Sequence, residues 1–377
     1  MGVTSFIAKR LQFKGRMAIV VIAISFFVIV LAQSISQGFR AEINAGIATM
    51  TGDVVLSNEV NDLFQSDNPI ELSQSLKDKI ASIEGVQGIV PSVMNASVLR
   101  SDEGFQGVIL KASESLKDSL GLVFPAALAA KMGLNQGDSL TAYFMTGGFK
   151  ISTFVVSDCY ESPLGSDLTP FVYADVHTLQ GLKNWSETQY SAIDVNLKDS
   201  YREVKTLNRK TEELAVLTGL AAQSSRQKYP QLYEWLDLID FNVYAIILLM
   251  SIVAGFNMIS GLLIILFRNI STIGTLKTLG MNNKSIASVF LQMSAKLVGK
   301  AMLIGNGAAL LFCLVQDWTH LIKLDPVNYY VNWVPVSIDL FGIIWANVVT
   351  FAVIMLLLLL PIMFISKIDP SLSVKQR

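Results

Sequence analysis

Histidine and cysteine are almost absent from this 377-residue chain, which holds two of each. His177 and His320 fall in separate regions, so neither a histidine-based metal site nor a Ser-His-Asp triad is supported. Cys159 lies in a water-soluble segment and Cys313 in an apolar run, so no disulfide between them is expected. There is no HExxH, and there is no GxxxxGK[ST] loop with which the chain would hydrolyse ATP itself. No Asp or Glu lies between Asp240 and Asp317, which removes the carboxylates of a proton relay from two apolar stretches. Charged residues are only 16%, below the roughly 25% of soluble chains. A formal net charge of -1 gives no pull toward nucleic acid.

What is present in excess is apolar sequence: 52% hydrophobic residues and a mean hydropathy of +0.49. A membrane helix needs about 20 mostly apolar residues. Four stretches qualify, at 17–38, 241–267, 286–315 and 340–366. The expected fold class is therefore a membrane α-helical protein with four transmembrane helices and an inserted extracytoplasmic α+β domain at 39–240. The remaining segments are a tail at 1–16, a connection at 268–285, a loop at 316–339 and a tail at 367–377.

Charge sets the orientation. The first tail carries Lys9, Arg10, Lys14 and Arg16 without an acid, and the 268–285 connection carries Arg268, Lys277 and Lys284 without one. Short cytoplasmic segments are enriched in Lys and Arg. Both termini and this connection are thus expected in the cytoplasm, with 39–240 outside. That domain holds 16 cationic and 26 acidic side chains, a net of -10. The first apolar run is long for a cleaved signal peptide and lacks a small-x-small site after it, so it is expected to be retained. Phe6, Ile7, Leu11 and Phe13 among the tail's cations suit an amphipathic helix on the headgroups or a simple basic anchor.

Inside the domain, GDVVLS, FKISTFVVSDCY and YSAIDVNL read as strands, and VQGIVPSVMNASVLR as one more. ELSQSLKDKIASIEG, stopped by Gly85, ADVHTLQGL from near Asp175 and SYREVKTLNRKTEELAVL read as helices. PAALAAKMGLNQGDSLTAYF reads as helix, glycine turn and strand. The alternation suggests one or two sub-lobes. SDCYESPLGSDLTPFVY, punctuated by Pro163, Gly165 and Pro170, is an ordinary connection or a protruding tip.

Several polar residues stand inside apolar stretches. In the second, GFNMISG places Gly255, Asn257, Ser260 and Gly261 where small and polar residues favour close helix contact, a candidate interface with another membrane subunit. In the third, Lys296 and Lys300 sit one turn apart on one face, either snorkelling to the headgroups or making a polar contact. In the connection, Ile270, Ile273, Leu276 and Leu279 recur every third residue on a short helix stopped by Gly280, with Asn282 capping the next. Such a stripe needs the membrane surface, its own bundle or a cytoplasmic subunit as partner.

STIGTLKTLGMNNKSIASVFL resembles the signature of FtsX-like ABC-transporter permeases. Ile273, Gly274, Leu276, Lys277, Thr278, Leu279, Gly280, Ile286, Phe290 and Leu291 match it, with Thr272 where many members carry Glu and Met281 where most carry Ala. AGFNMISGLLI, DPVNYYVNWVPVSI, ISKIDPSLSVK, QGFRAEINAGIATMTGDVVLS and GLNQGDSLTAYF resemble elements of the lipoprotein-releasing branch. The resemblance implies two permeases, identical or homologous, with two cytoplasmic ABC ATPases. ATP and Mg belong to those partners and no cofactor to this chain. It further implies lipoprotein substrates drawn from the bacterial inner membrane and handed to a periplasmic lipoprotein carrier. Ile273, Gly274, Leu276, Lys277, Leu279 and Gly280 then become the ATPase-coupling residues. A carrier-binding hook is expected by position within Tyr160 to Pro170, at Ser162, Pro163 and Leu164. Phe26, Val30 and Phe256 are expected to meet the lipid anchor. A MacB-like efflux permease or an FtsX-like regulator of cell-wall hydrolases is the alternative within the superfamily.

Overall fold

The computed structural model describes residues 16–58, 68–113, 116, 118–144, 149–162 and 171–361. Most of the 1–16 tail, Pro163 and Leu164 of the expected hook, and the ISKIDPSLSVK segment lie outside them. The chain forms two compact units.

The helical unit comprises the described parts of Met1–Arg40, Trp235–Ile322 and Val334–Arg377. Its long helices are α1 (Arg16–Thr51), α6 (Pro230–Arg268), α8 (Asn283–Thr319) and α9 (Leu340–Leu357). All four are long and apolar enough to cross a membrane. The first three, of 36, 39 and 37 residues, measure about 54 to 59 Å at 1.5 Å per residue, against about 30 Å of hydrocarbon. Hence the expected domain 39–240 begins and ends in helical turns of α1 and α6.

Within this unit α1 is central. Ile22 and Phe26 pack with Ala254 and Met258 of α6, and Ile29 with Val243, Ile247 and Ala346. Val30 meets Ala309 of α8 and Ile343 of α9. Closest approach is to α8, where a Cβ built on Gly305 would stand 2.3 Å from the Ala23 carbonyl oxygen. Only a residue without a side chain permits that spacing. Away from α1, Ser251 of α6 lies 3.0 Å from the Thr350 hydroxyl of α9, both buried. Further along α1, Arg40 pairs with Asp237 at 3.2 Å and also with Asp240, which accepts from Ser36. Phe39 meets Trp235 edge-on at 5.7 Å.

The link from α8 to α9 is held to α1. The Gln316 side chain accepts from Ile322 N at 3.1 Å and donates to the carbonyls of Ile322 and Val334. Ser337 N then donates to the Ser34 carbonyl at 2.9 Å. A Cβ on Gly38 would fall 2.3 Å from the Pro335 oxygen. Asp339 caps α9 by accepting from Phe341 N and Gly342 N.

The second unit comprises Ala41–Glu234 and Lys323–Trp333. An antiparallel sheet in the order β12-β1-β11-β3 uses Ala221–Ser224, Val54–Ser57, Ala192–Leu197 and Val86–Ser92. Helices α2 (Gln74–Ala81) and α5 (Val204–Thr218) cover it, burying Ile80, Leu207 and Leu214 on Val54, Leu56 and Val195. The other lobe is a closed barrel, β4-β5-β9-β6-β8-β7. Its strands are Met94–Ser101, Gly104–Ser113, Phe171–Asp175, Gly121–Pro125, Lys150–Tyr160 and Ser139–Phe144. Inward residues such as Leu99, Leu110, Phe124, Phe144 and Phe154 fill it. Two short helices accompany it, α3 (Ala126–Lys131) and α4 (Val176–Lys183), the latter capped by Asp175. A short two-stranded pair joins β2 (Ile70–Glu71) to β10 (Gln189–Tyr190).

Two local expectations are corrected. VQGIVPSVMNASVLR is not one strand: Ser92 pairs with Ala192 in the sheet, while Met94 pairs with Lys111 in the barrel. Ser92, Val93, Met94 and Asn95 are buried in succession, and that break in alternation marks the change of sheet. The helix before Gly85 ends earlier, with Ser82 as its cap; Gly85 takes φ +99° in the turn beyond it.

The two lobes share a buried ion pair. Lys111 of β5 donates to Asp194 of β11 and to the Met50 carbonyl at 2.6 Å. Removing one partner of such a pair strands a buried charge. The Lys228 ammonium is buried nearby, which pushes it down to about 8, Asp194 opposing this. Below pH 8 the folded and unfolded chains both carry this proton, so the burial penalty is fully present. Between about 8 and the usual 10.5 the unfolded chain binds more protons, and stability rises with pH. Above about 10 burial of the Tyr160 and Tyr229 phenols works the other way. Thermal unfolding of the detergent-solubilised chain is expected to shift upward from pH 8 to 10. Lys228→Met should flatten that rise.

Candidate functional site

The connection between α6 and α8 is built as a rigid corner. Helix α7 (Ile270–Thr278) follows α6 directly and ends at Leu279. Gly280 takes φ +86°, its N–H donates to the Lys277 carbonyl, and Met281 N reaches the Leu276 carbonyl at 2.9 Å. This is the glycine-dependent helix stop. Asn282 then accepts from Lys284 N to start α8.

The stripe expected on α7 does not stay on one face. Residues three apart turn 300° around an α-helix, so the stripe drifts by about 60° per step. Ile273, 1% exposed, and Gly274 are buried, Ile273 packing with Leu266, Ile286 and Phe290. Leu276 and Lys277 are half-buried, whereas Leu279 is 78% exposed and Gly280 is exposed. Of the three partners open to this helix, its own bundle takes Ile273. The surface left for another molecule is Ser271, Thr272, Thr275, Thr278, Leu279 and Gly280 with the edge of Lys277, and Leu279 is the large apolar side chain in it.

The other sequence candidates separate in the same way. Gly255 and Gly261 are buried, and a Cβ on Gly255 would fall 2.3 Å from Leu357 of the chain's own α9. That glycine lets α6 pack closely on α9 within the chain. Ser260 is exposed and Asn257 half-buried, but each side chain donates back to its own helix, at Phe256 and Val253. Phe26 and Val30, expected to meet a lipid anchor, are fully buried on α6, α8 and α9. Phe256 alone faces outward, at 59% exposure. The helical unit therefore does not bring Phe26, Val30 and Phe256 onto one surface.

Ser162 closes the described side of the expected hook. The flanking strands β8 and β9 are not paired with each other; β6 lies between them. The segment's two ends are tied by Tyr160, whose hydroxyl donates to the Phe171 carbonyl at 2.8 Å. Its ring lies 5.2 Å from that of Tyr173, and burial raises the Tyr160 phenol well above its usual range. These rings, with Thr49, Ser113, Leu116, Val123 and Glu161, line a cavity of about 550 Å³. Sequence reasoning missed it, because its walls come from five separate segments. Two tyrosines flanking a proline-rich connection were the only local signal. Among the described residues no cluster of three or more His, Cys, Asp or Glu gathers to hold a metal.

Among the described residues the chain has four helices long and apolar enough to cross a membrane, with a sheet-containing α+β domain inserted in sequence between the first and the second. Residues 244–370, about a third of the chain, match the family model described as FtsX-like permease C-terminal. Such permeases are transporter membrane subunits that work with cytoplasmic ABC ATPases. Over 94% of its length the chain is 21% identical to an uncharacterized membrane protein of Buchnera aphidicola subsp. Schizaphis graminum, 92% of which it covers. Two solved structures are also similar. The extracellular domain of the noncanonic ABC-type transporter YknZ from Gram-positive bacteria is 16% identical, with a TM-score of 0.29 over 45% of this chain and 98% of that one. The periplasmic region of MacB from Actinobacillus actinomycetemcomitans is 14% identical, with a TM-score of 0.31 over 49% and 95%.

The burial pattern separates two substitutions that the sequence alone treats alike. Ile273→Asp places a charge in the core of the bundle and is expected to lower the yield of folded protein severalfold, read by size-exclusion profile. Leu279→Asp is expected to leave the profile and the melting temperature unchanged, because that side chain stands at the surface.

Proposed function

We propose that the chain is the permease subunit of an ATP-driven transporter that extracts lipoproteins from the bacterial inner membrane and passes them to a periplasmic carrier. The observation that carries this reading is the seat of the Val334–Ser337 strap on α1 at Ser34 and Gly38. The strap belongs to DPVNYYVNWVPVSI, the element most particular to the lipoprotein-releasing resemblance. It fixes the outer end of the helix on which the rest of the bundle is assembled.

In this reading the termini and α7 are cytoplasmic and the sheet-and-barrel unit is periplasmic. ATP with Mg binds the partner ATPase, which grips Leu279 and Gly280. Its motion enters through Ile273, locked against α6 and α8, and reaches the outer ends of α1 and α6 where Arg40 joins Asp237 and Asp240. A second permease completes the assembly, and Phe256 with its exposed neighbours on α6 faces the lipid anchor. Withdrawing acyl chains opposes about 0.8 kcal/mol per buried CH₂, so triacylated cargo requires an external energy source. This matches a chain that has a docking corner and whose sequence lacks a GxxxxGK[ST] loop of its own.

Depletion of the chain in its own cell is the test. Lipoproteins destined for the outer membrane are expected to accumulate in the inner membrane within a few generations, as read by membrane fractionation. Normal sorting with new sensitivity to exported toxins would replace this reading by an efflux permease. Normal sorting with a cell-wall hydrolysis defect would replace it by a regulator.

A further inference from the structure

We infer that Lys296 and Lys300 form a binding site for the phosphate headgroup of an anionic phospholipid in the inner leaflet, on the exposed face of α8. The inference rests on the reading that α8 spans the membrane.

Both lysines are exposed and stand one turn apart, about 6 Å along the axis. Neither makes a hydrogen bond or ion pair among the described residues, and no acid exists from residue 241 to 316. The same outward stripe continues as Leu303, Ile304, Leu311 and Leu314 and ends at Trp318, 87% exposed. The stripe is therefore cationic for one turn and apolar for the next four, with an aromatic residue at its far end.

Its dimensions are those of a lipid leaflet pair. Trp318 lies 18 residues beyond Lys300 and 22 beyond Lys296, about 27 and 33 Å at 1.5 Å per residue, bracketing the hydrocarbon thickness of about 30 Å. Trp favours the membrane–water interface, which sets the two ammonium groups at the opposite one. The contact of Gly305 with Ala23 gives the depth independently. Gly305 meets Ala23 and Ala309 meets Val30, so the two helices run in the same direction. Lys300, five residues before Gly305, is thus level with about residue 18 of α1, at the start of the apolar span that begins at Met17. Two ammonium groups on one face at the headgroup level, above an apolar track for tails, complement a phosphate diester with acyl chains. Simple snorkelling needs one lysine and gives no preference among headgroups.

The experiment measures lipid retained by the full chain after detergent extraction from membranes containing phosphatidylethanolamine, phosphatidylglycerol and added phosphatidylcholine, by native mass spectrometry. Wild type is expected to retain phosphatidylglycerol over phosphatidylcholine. Lys296→Gln and Lys300→Gln should each lower that preference about fivefold, and the double variant should abolish it. Lys296→Arg/Lys300→Arg should keep it, as should Lys284→Gln, an exposed cation elsewhere on α8. Should the double variant fold poorly, the single variants and the arginine pair decide. Equal retention of both lipids by wild type, or unchanged preference in every glutamine variant, overturns the site. So does displacement of the lipid by excess inorganic phosphate, which would mark a free-anion site, or photocrosslinking of position 300 to a second copy of the chain. Release of wild type from membranes by alkaline carbonate would instead overturn the spanning reading.

Discussion

Everything in the helical unit depends on how closely other parts of the chain can approach α1. Gly305 lets α8 lie against the Ala23 carbonyl, and Gly38 lets the strap before α9 lie against later turns of the same helix. With no hydrophobic driving force between helices in lipid, such close packing and a few internal hydrogen bonds are what hold a bundle together. Ser251 near Thr350, the Gln316 side chain and the Arg40 pairs supply those bonds. The burial of Phe26 and Val30 follows from the same constraint, because a helix surrounded on several sides has few side chains left for substrate.

That geometry moves the functional surfaces outward. The corner at Leu279 and Gly280 is held by a stop that only glycine satisfies cheaply, on a helix anchored by Ile273. The buried anchor and the exposed corner are about one turn and a half apart. The exposed faces of α6 and α8, with Phe256 on one and Lys296 and Lys300 on the other, are left open to other molecules.

The sequence was legible where a single physical pattern dominates. Apolar runs marked the four long helices, and Gly280 and Asn282 marked the corner, because stops and caps are local chemistry. Legibility failed where tertiary context decides. A period of three looked like a stripe on α7, yet Ile273 points inward and Leu279 outward. Gly255 looked like an intersubunit contact, yet it faces Leu357 of the same chain. The passage from sheet to barrel at Val93 was hidden within one continuous β-rich run. The Lys111–Asp194 pair, 83 residues apart in sequence, and the Tyr160–Tyr173 cavity were invisible because their members meet only through strand order.

The central claim is that this chain converts ATP-driven motion at the Leu279 corner into removal of lipoproteins from a membrane. Reconstitution of the chain with its ATPase and any second permease in vesicles carrying a triacylated lipoprotein tests it most directly. The account predicts that ATP releases the lipoprotein to a soluble acceptor, and that Leu279→Asp abolishes release. Sustained ATP hydrolysis by the intact assembly with no lipoprotein released would contradict it.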